Sequence, residues 1–600
     1  MAEAEEAGGC EGFCTLFSSL VFRRSHVVPS TESRTRHTPL PSLLIDRSTR
    51  AERDNHTHTL QWRRSPRRRP LLPPPPPAAS SAAGLSPASP HPPASAPLPL
   101  AAHPLPPPYP EPAATAAGAR SSTSRRLSHP PRPPGAPVYV TLPADAVGPG
   151  GRVARRRAMG ASLAALAAAG VAGVAVELWW GVVERQGPGE YDWAGYLDLA
   201  AMARHHGLRV RAILAFHQCG AGPHDPLWIP LPQWVLEEMD KVPDLSYTNR
   251  HQQRNKEYIS LGCDSLPVLK GRTPMQAYSD FMRSFRNTFE DYLGAIVTEV
   301  QVGMGPGGEL RYPSCPTEKL NQRSSSAELG EFQCYDKFMQ ASLSAHAHIL
   351  GIQEWASGSS TGTEGSQQNF EETSFFRSDG GYWDTPYGRF FLEWYSGMLV
   401  LHGERLCMIA DTIFSGTGVT ISGKVAGIHW HYYTCSHPSE LTAGYYNTLL
   451  RDGYLPIAQM FAKYKAALCC GCFDLRDAER TNPESSPEGT LRQLVGAAKR
   501  CNLPLNGENS LTRLDDASLN QVIRSSRLYS GRSSGTSFSF NYVRMNKSLF
   551  EFHNWSRFTK FVRQMSDART FLARLDVRRG QQYLSSMSVV WVVSRACAYT

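Results

Sequence analysis

Between Asp54 and Glu111 the chain carries no acidic residue at all. The same stretch holds a five-proline run, Pro73–Pro77, and the arginines Arg63, Arg64, Arg67, Arg68 and Arg69. Few apolar side chains are present to offset the entropy of ordering, so residues 1–135 read as a disordered arm rich in Pro, Arg, Ala and Ser. That proline content argues against a compact basic fold, and therefore against nucleic acid as a partner. Scarce acid with abundant Arg and Ser is instead the make-up of an organelle-targeting segment. Glu3, Glu5, Glu6 and Glu11 at the start run against that reading. The net charge of +9 mostly reflects this arm.

Long apolar runs are also missing. None reaches the roughly 18 residues of a membrane span. The nearest, Met159–Val176, is mostly Ala and Gly and breaks at Gly170 and Gly173, so helix followed by strand is the better reading and no membrane partner is expected. Thirteen cysteines are scattered without a paired CxxC or a histidine set. Cys469, Cys470 and Cys472 cluster, yet they read as buried reduced thiols, with neither metal nor cofactor expected.

From Val138 onward Trp, Tyr, Leu and Val return at globular density, enough for one large domain over 136–572. A tail, 573–600, is left unassigned. Strands alternate with helices. The strand candidates are Val138–Leu142, Val174–Leu178, Leu208–Phe216, Ala295–Val302, Val425–Trp430, Ala466–Cys470, Leu503–Leu505 and Ser537–Val543. Eight near-continuously apolar strands with helices between them predict an α/β fold of the (β/α)8 type with long βα loops, with a doubly wound open sheet as the alternative.

In such a barrel the chemistry gathers at the carboxyl ends of the strands. Those ends carry Glu177 with Trp179 and Trp180, then His217, Glu309, His429 with Trp430, Glu508 with Asn509, and Arg544. Any one alone reads as a solvated or hydrogen-bonded residue. Polar or ionisable groups on six strand ends read as a site. Glu309 and Glu508 each sit in a glycine-bearing turn after an apolar run, VGMGPGGELRYP (302–313) and NGENSL (506–511). Two carboxyl groups facing one another across a barrel mouth suit glycoside hydrolysis.

Ten strings carry a resemblance. They include VYVTLP (138–143), GVAVELWWGVVE (173–184), AILAFHQCG (212–220), EVQVGMGPGGELRYPS (299–314), KVAGIHWHY (424–432) and NGENSLTR (506–513). The chain from about 137 to 570 resembles, in unbroken order, the plant and bacterial β-amylases, glycoside hydrolase family 14. The resemblance implies inverting exo-hydrolysis of α-1,4-glucan (starch) with release of β-maltose, in a plastid. It implies Glu309 as general acid and Glu508 as general base. It implies sugar contacts at Glu177, His217, Asp225, Lys424, His429, Gly471, Asn509, Ser510, Leu511 and Arg544. An inverting pair needs room for water, so a carboxyl separation of roughly 6.5–9.5 Å is expected. A general acid must hold its proton, so Arg311 is expected to point away from Glu309.

Several positions depart from the family pattern. Glu177 stands where the family has an aspartate. The lid after His217 reads Gly220-Ala221-Gly222-Pro223-His224-Asp225-Pro226 instead of a glycine-rich GGNVGD. Gly471 replaces a threonine of the inner loop, and His431 replaces a tryptophan. No aromatic lies between Tyr312 and Phe332. Two hypotheses therefore stand: a working β-amylase, and a non-catalytic relative that binds glucan or a partner starch-degrading enzyme.

Overall fold

The structure, a computed structural model, describes residues 135–314, 330–356, 372–378, 380–529, 537–567 and 571. Apart from Gly135, the arm expected over 1–135 lies outside these residues, as does the tail 573–600.

Ten strands are found among the described residues. They are β1 (Val138–Thr141), β2 (Gly173–Trp179), β3 (Arg209–Ala215), β4 (Ser246–Thr248), β5 (Arg254–Ile259), β6 (Val297–Val302), β7 (Thr420–Val425), β8 (Ala467–Cys470), β9 (Leu505–Glu508) and β10 (Phe538–Tyr542). Eight of them close into a parallel barrel in the order β1-β10-β9-β8-β7-β6-β3-β2. Because β1 pairs with both β2 and β10, the sheet has no free edge. The (β/α)8 expectation therefore holds and the open doubly wound sheet does not. β4 and β5 form a separate antiparallel ribbon within the loop after β3.

Helices wrap the barrel, and their starts are chemically marked. Thr273 and Gln276 form a reciprocal capping box at the head of Pro274–Thr288, with proline at the first position. That helix turns Tyr278, Phe281, Met282 and Phe285 inward. Ser486 caps Pro487–Arg500 by accepting from Gly489 N, again with proline at the first position. The apolar core thus lies between sheet and helices.

Inside the barrel the lining is polar. Arg211 of β3 and Glu299 of β6 form a buried ion contact of 3.1 Å. Glu299 accepts from Ser422 Oγ and from Asn506 Nδ2, both at 2.7 Å. Arg211 donates to Ser539 Oγ at 2.6 Å and packs over the Tyr139 ring. A buried ion pair is tolerable because its remaining polar atoms are satisfied by neighbouring strands.

This polar interior explains one correction. The fifth barrel strand was expected at the apolar run Val425–Trp430, whereas β7 spans Thr420–Val425. Its Ser422 and Lys424 face the polar interior and the cleft, so the strand lacks the apolar signature that was sought. Residues 426–430 are loop beyond its carboxyl end. β9 is similarly displaced from Leu503–Leu505 to Leu505–Glu508, which puts Glu508 on the strand itself.

Candidate active site

A cleft of about 1230 Å³ opens at the carboxyl ends of the strands. It is lined by Glu177, His217, Glu309, Lys424, Gly471, Glu508, Asn509, Ser510, Leu511 and Arg544. These all come from the expected site. Asp225 and His429 are not among the lining residues. The Asp225 carboxylate accepts from Ala221 N at 3.2 Å and Leu227 N at 2.9 Å, bracing its own loop. His429 Nδ1 lies 2.9 Å from Ser485 Oγ, and burial pulls its pKa down to about 4. Sequence reasoning missed Thr141, Trp228, Glu257 and Gln301, which also line the cleft. Their strand-end or loop positions were visible, but nothing in their local sequence marks them.

Glu309 is presented by a glycine turn. Gly307 and Gly308 have φ of 61° and 74°, a left-handed pair that side-chain-bearing residues rarely adopt. A Cβ at Gly308 would also press on the His217 ring at 3.2 Å. The turn delivers Glu309 beside β7, where Leu310 N donates to Lys424 O at 2.8 Å. Arg311 does not point away. It is fully buried, and its Nε donates to Glu309 Oε2 at 2.9 Å. A guanidinium without water needs counter-charge, and the carboxylate two residues earlier supplies it.

Glu508 is held more deeply, at 4% exposure. Asn541 of β10 sits opposite it in register and donates from Nδ2 to Glu508 Oε1 at 2.7 Å. The same Nδ2 donates to Thr141 Oγ1 at 2.8 Å. Lys424 Nζ lies 3.0 Å from Glu508 Oε2. Burial alone would raise the Glu508 pKa; Lys424 and Asn541 outweigh it and hold the carboxyl below its ordinary value. Burial would lower the Lys424 pKa, and Glu508 and Glu309 reverse that and hold it above its ordinary value.

Lys424 Nζ also lies 3.6 Å from Glu309 Oε1. One ammonium therefore touches both carboxylates, and the gap between the touched oxygens cannot exceed the sum of those two distances. That ceiling sits near the lower edge of the roughly 6.5–9.5 Å that an interposed water requires.

Glu177 is clamped. Arg544 Nη1 and Nη2 donate to its two oxygens at 2.6 and 2.9 Å, a bidentate fork. Burial would raise the Glu177 pKa, and Arg544 reverses that and lowers it. His217 rests edge-on against Trp179, with ring centroids 5.2 Å apart. Burial pulls its pKa down to about 4, so it is neutral near pH 7. His217 Nδ1 and Trp228 Nε1 are buried with no hydrogen-bond partner among the described residues. Unsatisfied polar atoms in a cleft suit a polar, hydroxyl-bearing ligand.

At the inner loop, a Cβ added to Gly471 would meet Ser510 Oγ at 3.3 Å. Ser510 Oγ accepts from Cys472 N at 3.0 Å, so a hydroxyl already stands beside the position where the family's threonine would be. His431, the other departure on this rim, is buried, with Nδ1 2.6 Å from Ser439 Oγ.

Comparison with known proteins gives a consistent result. The model for "Glycosyl hydrolase family 14" matches residues 139–570. A curated relative from Arabidopsis thaliana, "Beta-amylase 1, chloroplastic", is 47% identical over 473 residues, covering 78% of this chain and 82% of its own. "Beta-amylase 1, chloroplastic" of Oryza sativa subsp. japonica is 49% identical over 437 residues, covering 72% and 81%. Among solved structures, the catalytic domain of β-amylase from Paenibacillus polymyxa superposes with a TM-score of 0.60 at 23% identity, covering 72% of this chain and 98% of that one. At that identity the likeness speaks to the fold.

Proposed function

Because the chain belongs to glycosyl hydrolase family 14, we propose that it is a β-amylase that hydrolyses α-1,4-glucan with inversion, with Glu309 as general acid and Glu508 as general base. The observation that carries this reading is the pair itself: two carboxylates from different strand ends share one cleft and one ammonium, Lys424 Nζ. Glu508 is kept ionised by Lys424 and Asn541, as a base requires. It removes a proton from water as that water attacks the anomeric carbon from one face. Glu309 delivers a proton to the departing glycosidic oxygen on the other face. The donor role requires Glu309 to be protonated when glucan is bound, so its contacts with Arg311 and Lys424 must loosen as sugar hydroxyls enter.

The remaining lining residues bind the sugars. Glu177 and Arg544 act as one clamped unit, and neutral His217 offers its free Nδ1 to a hydroxyl. Asn509 is itself fixed by Val543, donating to its carbonyl and accepting from its N–H, so it orients Leu511 at the rim. Asp225 and His429 join the sugar contacts only if the lid and the loop after β7 move inward. The relatives named chloroplastic, with the acid-poor arm, support action on starch in the plastid.

The test uses the full chain with maltopentaose. Maltose release by the wild type that disappears in Glu309→Gln is the expected result. No maltose with glucan still bound overturns the enzyme reading and leaves the glucan-binding or partner-binding alternative in its place.

A further inference from the structure

Glu257, a carboxylate of the cleft, has no part in the proposed chemistry. Glu257 lies on β5 of the ribbon and lines the cleft. Its Oε1 accepts from Gly307 N at 2.9 Å. Its backbone carbonyl accepts from Gln218 N, also at 2.9 Å. Gly307 is two residues before Glu309, and Gln218 directly follows His217 at the root of the lid. One residue of the ribbon is therefore bonded to both the lid root and the general-acid turn. Resting on the function proposed above, we propose that Glu257 is a positioning residue that fixes the Glu309 turn and couples it to the lid.

Three observations support this. First, the turn cannot hold itself by side chains, because Gly307 and Gly308 have none and both are left-handed. Its own backbone bonds, Gly308 N to Gly305 O at 2.9 Å and Glu309 N to Pro306 O at 3.1 Å, do not use Gly307 N, which Glu257 Oε1 binds from outside. Second, Arg311 is fully buried against Glu309, and Glu257 contributes a second negative charge that it feels. Glu257 and Glu309 thus both bear on the same buried cation. Third, the ribbon is itself anchored. Arg254 pairs with Asp244 at 2.9 Å and Lys256 pairs with Asp240, tying β5 to the helix Gln233–Lys241 and the turn after it. Glu257 thus works from a fixed base.

The structural alternative is that Glu257 merely caps a loop. It predicts a loss of stability with no specific effect on turnover. The two are separated with Glu257→Ala and Glu257→Gln in the full chain. Glu257→Gln keeps an oxygen able to accept from Gly307 N; Glu257→Ala does not. For Glu257→Ala we expect kcat on maltopentaose to fall about 100-fold while KM changes less than about threefold, since a displacement near 1 Å costs that order of rate. Glu257→Gln should recover at least about tenfold of that loss. Hydrogen exchange should quicken in Glu257→Ala over both 302–313 and 217–229. Unchanged exchange at 302–313, or a loss confined to KM, overturns the proposal. If Glu257→Ala fails to fold, Glu257→Gln decides: wild-type kcat and exchange support acceptance by the side-chain oxygen, and faster exchange at 302–313 opposes it. A wild type that releases no maltose sinks the function reading alone, because the exchange comparison still tests the bridge.

Discussion

The two carboxylates are held by different parts of the molecule. Glu508 is the last residue of β9, nearly buried, and braced by Asn541 from the adjacent strand and by Lys424 from β7. Glu309 lies beyond β6 on a glycine turn, is more exposed, and is braced by Arg311 from the same loop, by a turn bonded to the ribbon and, at the longer distance of 3.6 Å, by Lys424 of β7. The base is set by the barrel and the acid mainly by its loops. Strand register is rigid and specified along the whole sheet. Loops are where sequence changes are absorbed. The lid prolines fall on the loop-built side. Glu177, by contrast, stands on β2 and is absorbed by the Arg544 fork.

The largest expected effect removes either group. Glu508→Gln and Glu309→Gln should each lower kcat by roughly 10³-fold, within the usual range for general acid–base groups. Steady-state kinetics check this, and the comparison sharpens if melting temperatures stay near wild type. Next comes acidity. His217 and His429 have folded pKa values of about 4 against an ordinary 6.5. The folded state therefore binds fewer protons than the unfolded state between those limits. Stability should be full above about pH 6.5 and fall as pH drops toward 4, by on the order of 3 kcal/mol per histidine. Thermal unfolding against pH checks this. His217→Asn should flatten the slope.

Smaller is the effect of Glu177→Asp. Shortening the side chain pulls one oxygen from the Arg544 fork, and we expect a loss of about 1–2 kcal/mol in stability by denaturant titration. No gain in activity should accompany it; a gain would mean that the extra methylene at Glu177 displaces the carboxylate from its working place. Smallest is Gly471→Thr. The new Cβ meets Ser510 Oγ at 3.3 Å, so Ser510 must give by a few tenths of an ångström. Turnover should stay within about threefold of wild type, because Ser510 already places a hydroxyl there. A large gain would mean that Ser510 does not substitute for the missing threonine.

The barrel was legible in the sequence because parallel strands buried under helices are apolar and regularly spaced. Ten of the twelve expected site residues line one cleft: the strand ends pointed to Glu177, His217, Glu309, Glu508, Asn509 and Arg544, and the family resemblance supplied Lys424, Gly471, Ser510 and Leu511. What failed has physical reasons. β7 was misplaced because Ser422 and Lys424 serve a polar interior. Arg311 was misdirected because its burial, and so its need for an anion, is not visible two residues from Glu309 in sequence. Asn541 and Glu257 were missed because strand register and loop folding bring them to Glu508 and Gly307 across long stretches of chain.

The most direct measurement is the anomeric form of the maltose first released from maltopentaose by the wild-type chain, followed by proton NMR before mutarotation. Two carboxylates acting from opposite faces, with water between them, predict β-maltose as the initial product. Initial α-maltose, or no maltose at all, would contradict the account.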